Sequence, residues 1–407
     1  MQLKYYQTVW LVMIFGWVTN YMVRAGLSPV LLSILDEFSL DYSQAGLIAA
    51  AVFYSYAGMQ LPAGIIGDRL GRKVTLVACS FGWGIASLLT SLAYSLGSLF
   101  AFRFLTGLTE GLYFSNDRAV VSHYTPREKA GLGQGFSFSG LGLGMTVGIL
   151  LAGVIADRLG WRWVFLLFSI PSFLAAFLIL KFIKEPERPS PADAQSSASS
   201  NKERPPFSTI FKTRGLQIIY AVGIAAIYGQ WMLGAWAPAM FREIGVEDLS
   251  LSSLFASILG LSAVSGLIAS GYLSDRLNRR GVARKTVVAT EFGLGAVSLV
   301  VVGLTLAFKG HYLLLIAGMF CTGFFLFGLV ACVYPLVSEI APSSLVGSTF
   351  GLGNSIHYIG GFTAPWVTGL LKDWTGSFAF GCYFAALLCI GAAFLMVRYR
   401  PPRSAQP

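Results

Sequence analysis

The sequence has little charge. Only 12% of its 407 residues are Asp, Glu, Lys or Arg, whereas an average soluble domain has roughly 25%. Hydrophobic residues make up 55% of the chain, and the mean hydropathy is +0.67. Because such a composition cannot cover a water-exposed surface, it excludes a cytosolic enzyme, a disordered chain and a secreted disulfide scaffold.

Motifs of catalysis and of metal binding are also lacking. The sequence has no C-x-x-C pair, no His/Cys ligand spacing, no Walker A pattern and no Gly-x-Ser-x-Gly turn, so we predict no enzyme, catalytic residue, metal or cofactor. The net charge of +10 indicates which membrane side the loops face rather than nucleic-acid binding. All five cysteines lie in apolar runs and are expected to act as small hydrophobic residues: Cys79, Cys321, Cys332, Cys382 and Cys389.

Long apolar runs fill the chain instead. A run of about 18 or more apolar residues is long enough to cross a bilayer as a helix, and these runs lack the alternation of barrel strands. The sequence therefore predicts an all-α membrane protein with twelve spans, whose approximate limits are 8–33, 44–66, 74–95, 98–122, 131–155, 162–183, 215–239, 250–273, 286–308, 312–335, 346–371 and 377–398.

The basic residues predict the orientation. With the N-terminus inside, 21 of the 29 Lys and Arg residues lie in inside segments and five lie outside. Because inside loops are enriched in Lys and Arg, we predict that both termini are cytoplasmic. The expected location is the cell inner membrane.

One long polar segment divides the chain. Residues 184–214 are rich in Pro, Ser, Ala and charge, which is the composition of a linker. We therefore predict an N-terminal six-helix bundle at 1–183, a cytoplasmic linker at 184–214, and a C-terminal six-helix bundle with a short tail at 215–407.

The two halves share sequence patterns. A loop after span 2 is repeated after span 8 at an offset of 207 residues, and further matches occur at an offset of 216. Two six-helix repeats around a central cavity are typical of a rocking secondary transporter. The loop patterns are Gly64-x-x-x-Asp68-Arg69-x-Gly71-Arg72-Lys73 and Gly271-x-x-x-Asp275-Arg276-x-Asn278-Arg279-Arg280; the other matches pair Pro126, Gly131 and Gly135 with Pro342, Gly347 and Gly351, and Asp157 and Gly160 with Asp373 and Gly376.

This loop and the 6+6 layout resemble the major facilitator superfamily over essentially the whole chain. The resemblance implies that the loop residues lock the ends of neighbouring helices during conformational switching. The residues concerned are Asp68, Arg69 and Arg72, and in the weaker copy Asp275 and Arg276. The alternative is that they only hold these loops on the cytoplasmic side of the membrane, where Lys and Arg residues are enriched.

Ionisable residues inside a span are costly and mark a function or an ion pair. Arg24 lies well inside span 1 with no acidic residue within a turn. Its planar guanidinium suits a carboxylate, so we predict contact with an anionic substrate. The alternative is an ion pair with Glu110 across the bundle.

Glu110 is the predicted proton carrier. Burial favours its neutral form and a nearby arginine favours its charged form, so alternation between these surroundings would load and release a proton. A static ion pair is the alternative. His357 is a second candidate for proton coupling, against the alternative of a hydrogen-bonded packing residue. Arg118 is predicted to be structural or gating, as a partner for a neighbouring helix end.

Local patterns in the first half resemble the anion:cation symporter family, whose members carry sugar acids, aromatic acids, glutamate and sialic acid. That resemblance implies that Arg24, Tyr21 and Tyr56 hold the substrate carboxylate and that Arg103 and Glu110 couple the proton. Gln230 and Asn354 match more loosely as ligands for substrate hydroxyls. The patterns are Asn20-Tyr21-x-x-Arg24, Tyr56-x-x-x-Gln60-x-Pro62-x-Gly64, Arg103-x-x-x-Gly107-x-x-Glu110 and Asn116-x-Arg118.

One position departs from that family. Several sugar-acid members have Asp just before the span-1 arginine, where this chain has Val23. The stoichiometry and substrate subclass therefore stay open. For Trp231 and Trp236, interfacial belts or lipid contact are expected, and lining the cavity is the alternative.

The sequence thus predicts proton-driven uptake of a small organic anion, such as a sugar acid, by a monomer in the lipid bilayer, with the proton gradient as the energy source and no nucleic-acid partner. One alternative is an exporter or drug:proton antiporter on the same fold, although Met145 stands where drug antiporters usually have Pro. Another is a membrane receptor that binds a ligand without transporting it.

Overall fold

The structure, a computed structural model, describes residues 4–186, 206, 208–342 and 345–399. These residues form helices and no strand. Nine of the helical segments are long and apolar enough to cross a membrane by length and composition alone. The predicted linker lies mostly outside the described residues, at 187–205 and 207, so the division of the chain at 184–214 stays a prediction.

In the part of the chain that the structure describes, twelve helical crossings alternate in direction. We call the end that holds Tyr5, Phe182, Arg214 and Arg398 the linker end, and the other the opposite end. Hydrogen bonds at the linker end join the start of the first crossing to the end of the sixth. The spans are Tyr5–Ala25 with Leu27–Phe38, Tyr42–Leu70, Arg72–Ser91, Leu96–Gly111 with Tyr113–Tyr124, Ala130–Phe138 with Gly140–Leu159, Trp161–Phe182, Arg214–Glu243, Leu249–Ala256 with Ile258–Asn278, Arg284–Ala307, Tyr312–Ile340, Val346–Thr375 and Ala379–Arg398.

Several turns at helix ends depend on glycine or on a capping side chain. Gly71, Gly160 and Gly376 have φ angles of 105°, 91° and 76°, which residues with a Cβ seldom adopt. Ser95 and Asp248 begin spans 4 and 8 by accepting hydrogen bonds from first-turn N–H groups, which otherwise have no intrahelical partner. These residues place the tight turns between antiparallel spans.

Span 1 is interrupted next to its arginine. The first helix ends at Ala25 and the second begins at Leu27. Pro29 has no N–H to bond the carbonyl of Ala25, four residues earlier, and its ring crowds that carbonyl. The break therefore leaves backbone carbonyls near Arg24 available to side chains from other spans.

The two halves meet directly at the opposite end. The Asp373 carboxylate at the end of span 11 accepts hydrogen bonds from Tyr42 N and Ser43 N, at 2.9 and 2.8 Å, at the start of span 2. Ser250 Oγ, at the start of span 8, donates to Asp157 Oδ2, at the end of span 5, at 2.9 Å. Asp157 and Asp373 are the pair related by the 216-residue repeat. These contacts close the opposite end.

Spans 5 and 8 also touch at mid-height through glycine. A Cβ on Gly260 would lie 2.3 Å from Gly142 O and 2.4 Å from Thr146 N. Since both neighbours are backbone atoms, the close approach of the halves requires glycine at position 260.

Four of the five cysteines are buried and Cys321 is exposed. Trp231 and Trp236 are 4% and 0% exposed. The expectation that these two tryptophans lie in the belts or against lipid is therefore wrong, because the rotation of span 7 turns them toward the other half: Trp231 contacts Phe53, and Trp236 contacts Tyr42.

Candidate functional site

The centre of the site is an ion pair between Arg24 and Glu110. Arg24 Nε donates to Glu110 Oε2 at 2.8 Å, and Nη2 lies 2.6 Å from the same oxygen. The two residues are 3% and 1% exposed. A buried ion pair that loses one partner leaves an uncompensated charge, at a cost of about 3–5 kcal/mol. The structure thus shows the pairing named as the alternative for Arg24.

Aromatic rings enclose the Arg24 guanidinium. Its carbon lies 4.8 Å from the ring centre of Tyr21 and 4.5 Å from that of Tyr56. Phe53 and Trp231 lie at 5.8 and 5.7 Å. Each ring face attracts a cation. The structure therefore brings the two predicted tyrosines to Arg24 and adds Phe53, which the sequence did not single out, and Trp231, which was not expected at the site.

Tyr358 is a further residue that sequence reasoning missed. Its hydroxyl accepts a hydrogen bond from Arg24 Nη1 at 3.5 Å, and its ring lies 4.6 Å from that of Tyr56. Tyr358 follows Asn354 by four residues and so lies on nearly the same face of span 11. That spacing was the available signal.

Arg103 bonds to backbone rather than to the carboxylate. Its Nη1 and Nη2 donate to the carbonyl oxygens of Val23 and Arg24 at 3.2 and 3.3 Å, beside the break in span 1. Its guanidinium also lies 5.6 Å from the ring centre of Phe165. Arg103 and Glu110 thus hold the backbone and the side chain of Arg24 respectively.

A central cavity lies between this ion pair and the linker end. Tyr21, Tyr56, Trp231 and Tyr358 line it, so their rings separate the cavity from the Arg24–Glu110 pair. Its other walls include the second turn of span 7 and the first turn of span 11, and it therefore extends toward the linker end.

The predicted residues of the second half line the same cavity. Gln230 Nε2 donates to Leu326 O at 2.8 Å. Asn354 Nδ2 donates to Gln60 Oε1, in the other half, at 3.1 Å. His357 packs against Gly223, where a Cβ would lie 2.1 Å from its ring, and its Nε2 has no partner among the described residues. Gln230 Oε1 and Asn354 Oδ1 remain available to a ligand, whereas His357 Nε2 is buried against Gly223.

Arg118 lies outside the cavity lining. It forms an ion pair with Asp117, and it donates to Gln134 Oε1 and Ser137 Oγ at 2.8 and 2.6 Å. Trp17 Nε1 donates to the same carboxylate at 2.8 Å. Arg118 therefore joins spans 1, 4 and 5, and its structural or gating role stays a prediction.

In each copy of the repeated loop, the predicted aspartate pairs within its own half. Asp68 pairs with Arg72 at 2.5 Å, and Asp275 pairs with Arg284 at 2.8 Å. The other predicted loop residues, Arg69 and Arg276, are exposed. Sequence reasoning missed Glu185, whose carboxylate accepts hydrogen bonds from Arg72 N and Lys73 N at 2.6 and 3.0 Å. The only feature of the sequence that could have identified Glu185 is that it is the first acidic residue after span 6.

The family follows from comparison with known proteins. The model of the Major Facilitator Superfamily matches residues 13–365. The chain belongs to the major facilitator superfamily. It is therefore a multi-pass membrane transporter rather than an enzyme, and the predicted resemblance to this superfamily is confirmed.

Curated relatives of this major facilitator chain match it along nearly its whole length. The hexuronate transporter of Bacillus subtilis (strain 168) is 28% identical over 401 residues, which cover 96% of this chain and 93% of the relative. The D-galactonate transporter of Escherichia coli O6:H1 is 28% identical over 406 residues, covering 94% and 93%.

A solved major facilitator structure confirms the predicted fold. A bacterial homologue of the human lysosomal transporter Spinster, described as inward-facing and occupied, superposes with a TM-score of 0.81 and covers 97% of each chain. Its sequence identity of 16% shows the fold alone.

Proposed function

We propose that this transporter is a proton-coupled symporter that takes up a small organic anion with a carboxylate, such as a sugar acid. The observation that carries the proposal is the buried Arg24–Glu110 pair, which lies beside a cavity lined by hydrogen-bonding side chains. The names of the relatives, hexuronate and D-galactonate transporters, point to the same class of substrate.

An exchange of partners would couple the two solutes. While Glu110 is ionised, it neutralises Arg24. A proton on Glu110 releases the guanidinium, which then needs another anion, and the substrate carboxylate supplies it. Because a buried site disfavours a net charge, proton and anion enter and leave together. Tyr21, Tyr56 and Tyr358 would guide the carboxylate to Arg24.

The remaining predicted residues take supporting roles in this proposal. Gln230 and Asn354 bind substrate hydroxyls, Arg103 holds the broken span 1 in place for the exchange, and His357 is a second candidate for proton coupling. We further propose that the halves rock about the cavity as the Asp68 and Asp275 loops engage and release. The linker end faces the cytoplasm of a monomer in the inner membrane, because it carries most of the Lys and Arg residues, and no cofactor is required beyond the proton gradient.

Transport by purified protein in proteoliposomes tests the proposal. With an acidic exterior and a neutral interior, we expect radiolabelled D-galacturonate or D-gluconate to accumulate and a protonophore to abolish accumulation. Efflux against the pH gradient would instead show an exporter. Binding of a carboxylate without its transport would show a receptor. If no carboxylate binds, the substrate is not an organic anion of this class.

Glu110→Gln separates coupling from binding. Because the glutamine side chain cannot bind and release a proton, we expect substrate counterflow to continue while gradient-driven accumulation is lost. Glu128→Gln, which neutralises an exposed carboxylate after span 4, is the matched control and should accumulate normally. Intact accumulation by Glu110→Gln would remove Glu110 as the coupling residue.

A further inference from the structure

A second cavity lies at the linker end of the C-terminal half, away from the central cavity. It is formed where span 7 begins, span 10 ends and span 12 ends. The proposed transport cycle uses none of its lining residues. Its chemistry differs along its length, with basic and polar groups at the end of the helices and apolar side chains along the outer wall.

Two arginines form the basic part of this groove. Arg214 opens span 7 and Arg398 closes span 12, and both line the cavity and are exposed. Within the described residues neither forms an ion pair, and Arg398 rests its guanidinium 4.3 Å from the ring centre of Phe394. No carboxylate lies among the described lining residues; the nearby Glu339 is paired with Arg284 at 3.0 Å. Among the residues that the structure describes, the positive charge of the groove is therefore uncompensated.

A buried hydroxyl of the same groove has no hydrogen-bond partner among the described residues. Tyr399 is 5% exposed, and its Oη has no hydrogen-bond partner among the described residues. A Cβ on Gly215 would lie 2.8 Å from that oxygen, so the hydroxyl rests against the first turn of span 7. A buried hydroxyl without a partner costs free energy, and a bound acceptor would remove that cost.

The first turn of span 7 adds further donors. Its helix runs for 30 residues from Arg214, and the residue before it, Thr213, makes no side-chain capping bond. The free N–H groups and the positive end of the helix dipole favour an anion at this position. Phosphate oxygens accept hydrogen bonds from arginine guanidinium groups, backbone N–H groups and hydroxyls, and this groove has all three kinds of donor.

The outer wall of the groove suits hydrocarbon. Phe394 and Leu395 are 53% and 39% exposed on the outer surface of span 12, and Ile218 and Ile340 continue the apolar lining. In a membrane-spanning chain this surface faces lipid tails, while the arginines lie at the level where the span ends. A ligand that fills the groove therefore has an anionic head and an apolar tail.

We propose that this groove binds one anionic phospholipid. Its phosphate diester lies between Arg214 and Arg398 and accepts a hydrogen bond from Tyr399 Oη, and an acyl chain lies along Phe394 and Leu395. Basic pockets between spans at a membrane surface bind anionic headgroups by this chemistry. The bound lipid joins the start of span 7 to the end of span 12.

Native mass spectrometry of the purified full-length protein tests this. We expect dioleoylphosphatidylglycerol to form a one-to-one complex at concentrations where dioleoylphosphatidylcholine does not. Arg214→Gln with Arg398→Gln should weaken phosphatidylglycerol binding roughly thirtyfold, from the electrostatic effect of two basic residues near a membrane surface. Tyr399→Phe, which removes only the hydroxyl, should weaken it several-fold.

The matched control is Arg127→Gln with Lys181→Gln, which removes two exposed cations from the linker end of the other half; it should bind phosphatidylglycerol as the unaltered protein does. Equal binding of both lipids, or unchanged binding by the Arg214/Arg398 variant, would overturn the proposal. Displacement of the lipid by inorganic phosphate at equal concentration would show a free-anion site and would overturn it too. None of these results depends on carboxylate transport.

Discussion

At the scale of single residues, the site depends on how two opposite charges are kept in an apolar bundle. Arg24 and Glu110 pair at 2.6 Å with almost no exposed surface. Such a pair adds little stability over apolar residues of the same size, whereas half of it is strongly destabilising. The arrangement is therefore stable only if each charge always has a partner, and a substrate carboxylate is one such partner for Arg24.

The thermal stability of variants checks this dependence. We expect Arg24→Leu to destabilise the protein by about 3–5 kcal/mol, because ionised Glu110 is left unpaired. Arg24→Leu with Glu110→Leu should be more stable than Arg24→Leu alone. The difference should increase with pH, since a protonated Glu110 needs no cation. Arg127→Leu, at an exposed position, is the control, and equal melting temperatures for the single and double variants would contradict the pairing.

Arg103 presents a different residue-scale case, because its guanidinium donates to the carbonyls of Val23 and Arg24. Hydrogen bonds to a charged donor contribute about 1.5–3 kcal/mol. We expect Arg103→Met to lower the melting temperature by the equivalent of about 2–3 kcal/mol. Lysine should not restore it, because it cannot reach both carbonyls with a planar fork.

Arg158→Met, at an exposed arginine in the last turn of span 5, is the control for that measurement. Full stability of Arg103→Met, combined with loss of proton coupling, would show that Arg103 acts on Glu110 instead of on the span 1 backbone.

At the scale of elements, the ends of helices decide which side of the molecule is closed. Asp373 holds the start of span 2 from the other half, and Asp157 holds Ser250 near the start of span 8. An anionic carboxylate is stabilising at a helix N-terminus. Because the two aspartates are repeat-related, the closed end is held by two similar contacts in opposite directions across the interface.

Asp373→Asn should shift the molecule toward the state that is open at the opposite end. A cap or helix-dipole contact is worth about 0.5–2 kcal/mol, so the ratio of the two states should change by roughly 2- to 30-fold. Labelling of a cysteine placed at the half-buried Ser43, whose N–H donates to Asp373, by an impermeant maleimide measures this opening. Asp36→Asn, an exposed carboxylate at the same end, should label as the parent does; equal labelling of Asp373→Asn would show that the contact does not hold the gate.

At the scale of the whole molecule, the charge bias of the loops predicts how the twelve crossings are oriented. We expect the C-terminus to be cytoplasmic. Green fluorescent protein fused after the last residue should then fluoresce, and alkaline phosphatase fused at the same place should be inactive. Fusion of the reporters after Lys309, between spans 9 and 10, should reverse both signals. An active phosphatase at the C-terminus would mean that the orientation is wrong.

Much of the whole-molecule architecture was predictable from local sequence. Runs of apolar residues located the twelve spans because a bilayer requires about 20 such residues for each helix. Limits differ by several residues: span 1 was expected at 8–33 and runs from Tyr5 to Phe38. Helix ends extend past the hydrocarbon into polar surroundings, where hydropathy no longer marks them.

The sequence by itself determined the family, the number of spans and the rare charges inside them, since a buried charge is conspicuous in any apolar run. Only the tertiary structure decided which groups those charges meet. Arg24 reaches Glu110 across 86 positions and Tyr358 across 334, Arg103 turns to backbone, and span 7 turns Trp231 inward. These contacts depend on the rotation of each helix about its axis and on packing between the halves, which apolarity along the chain does not specify.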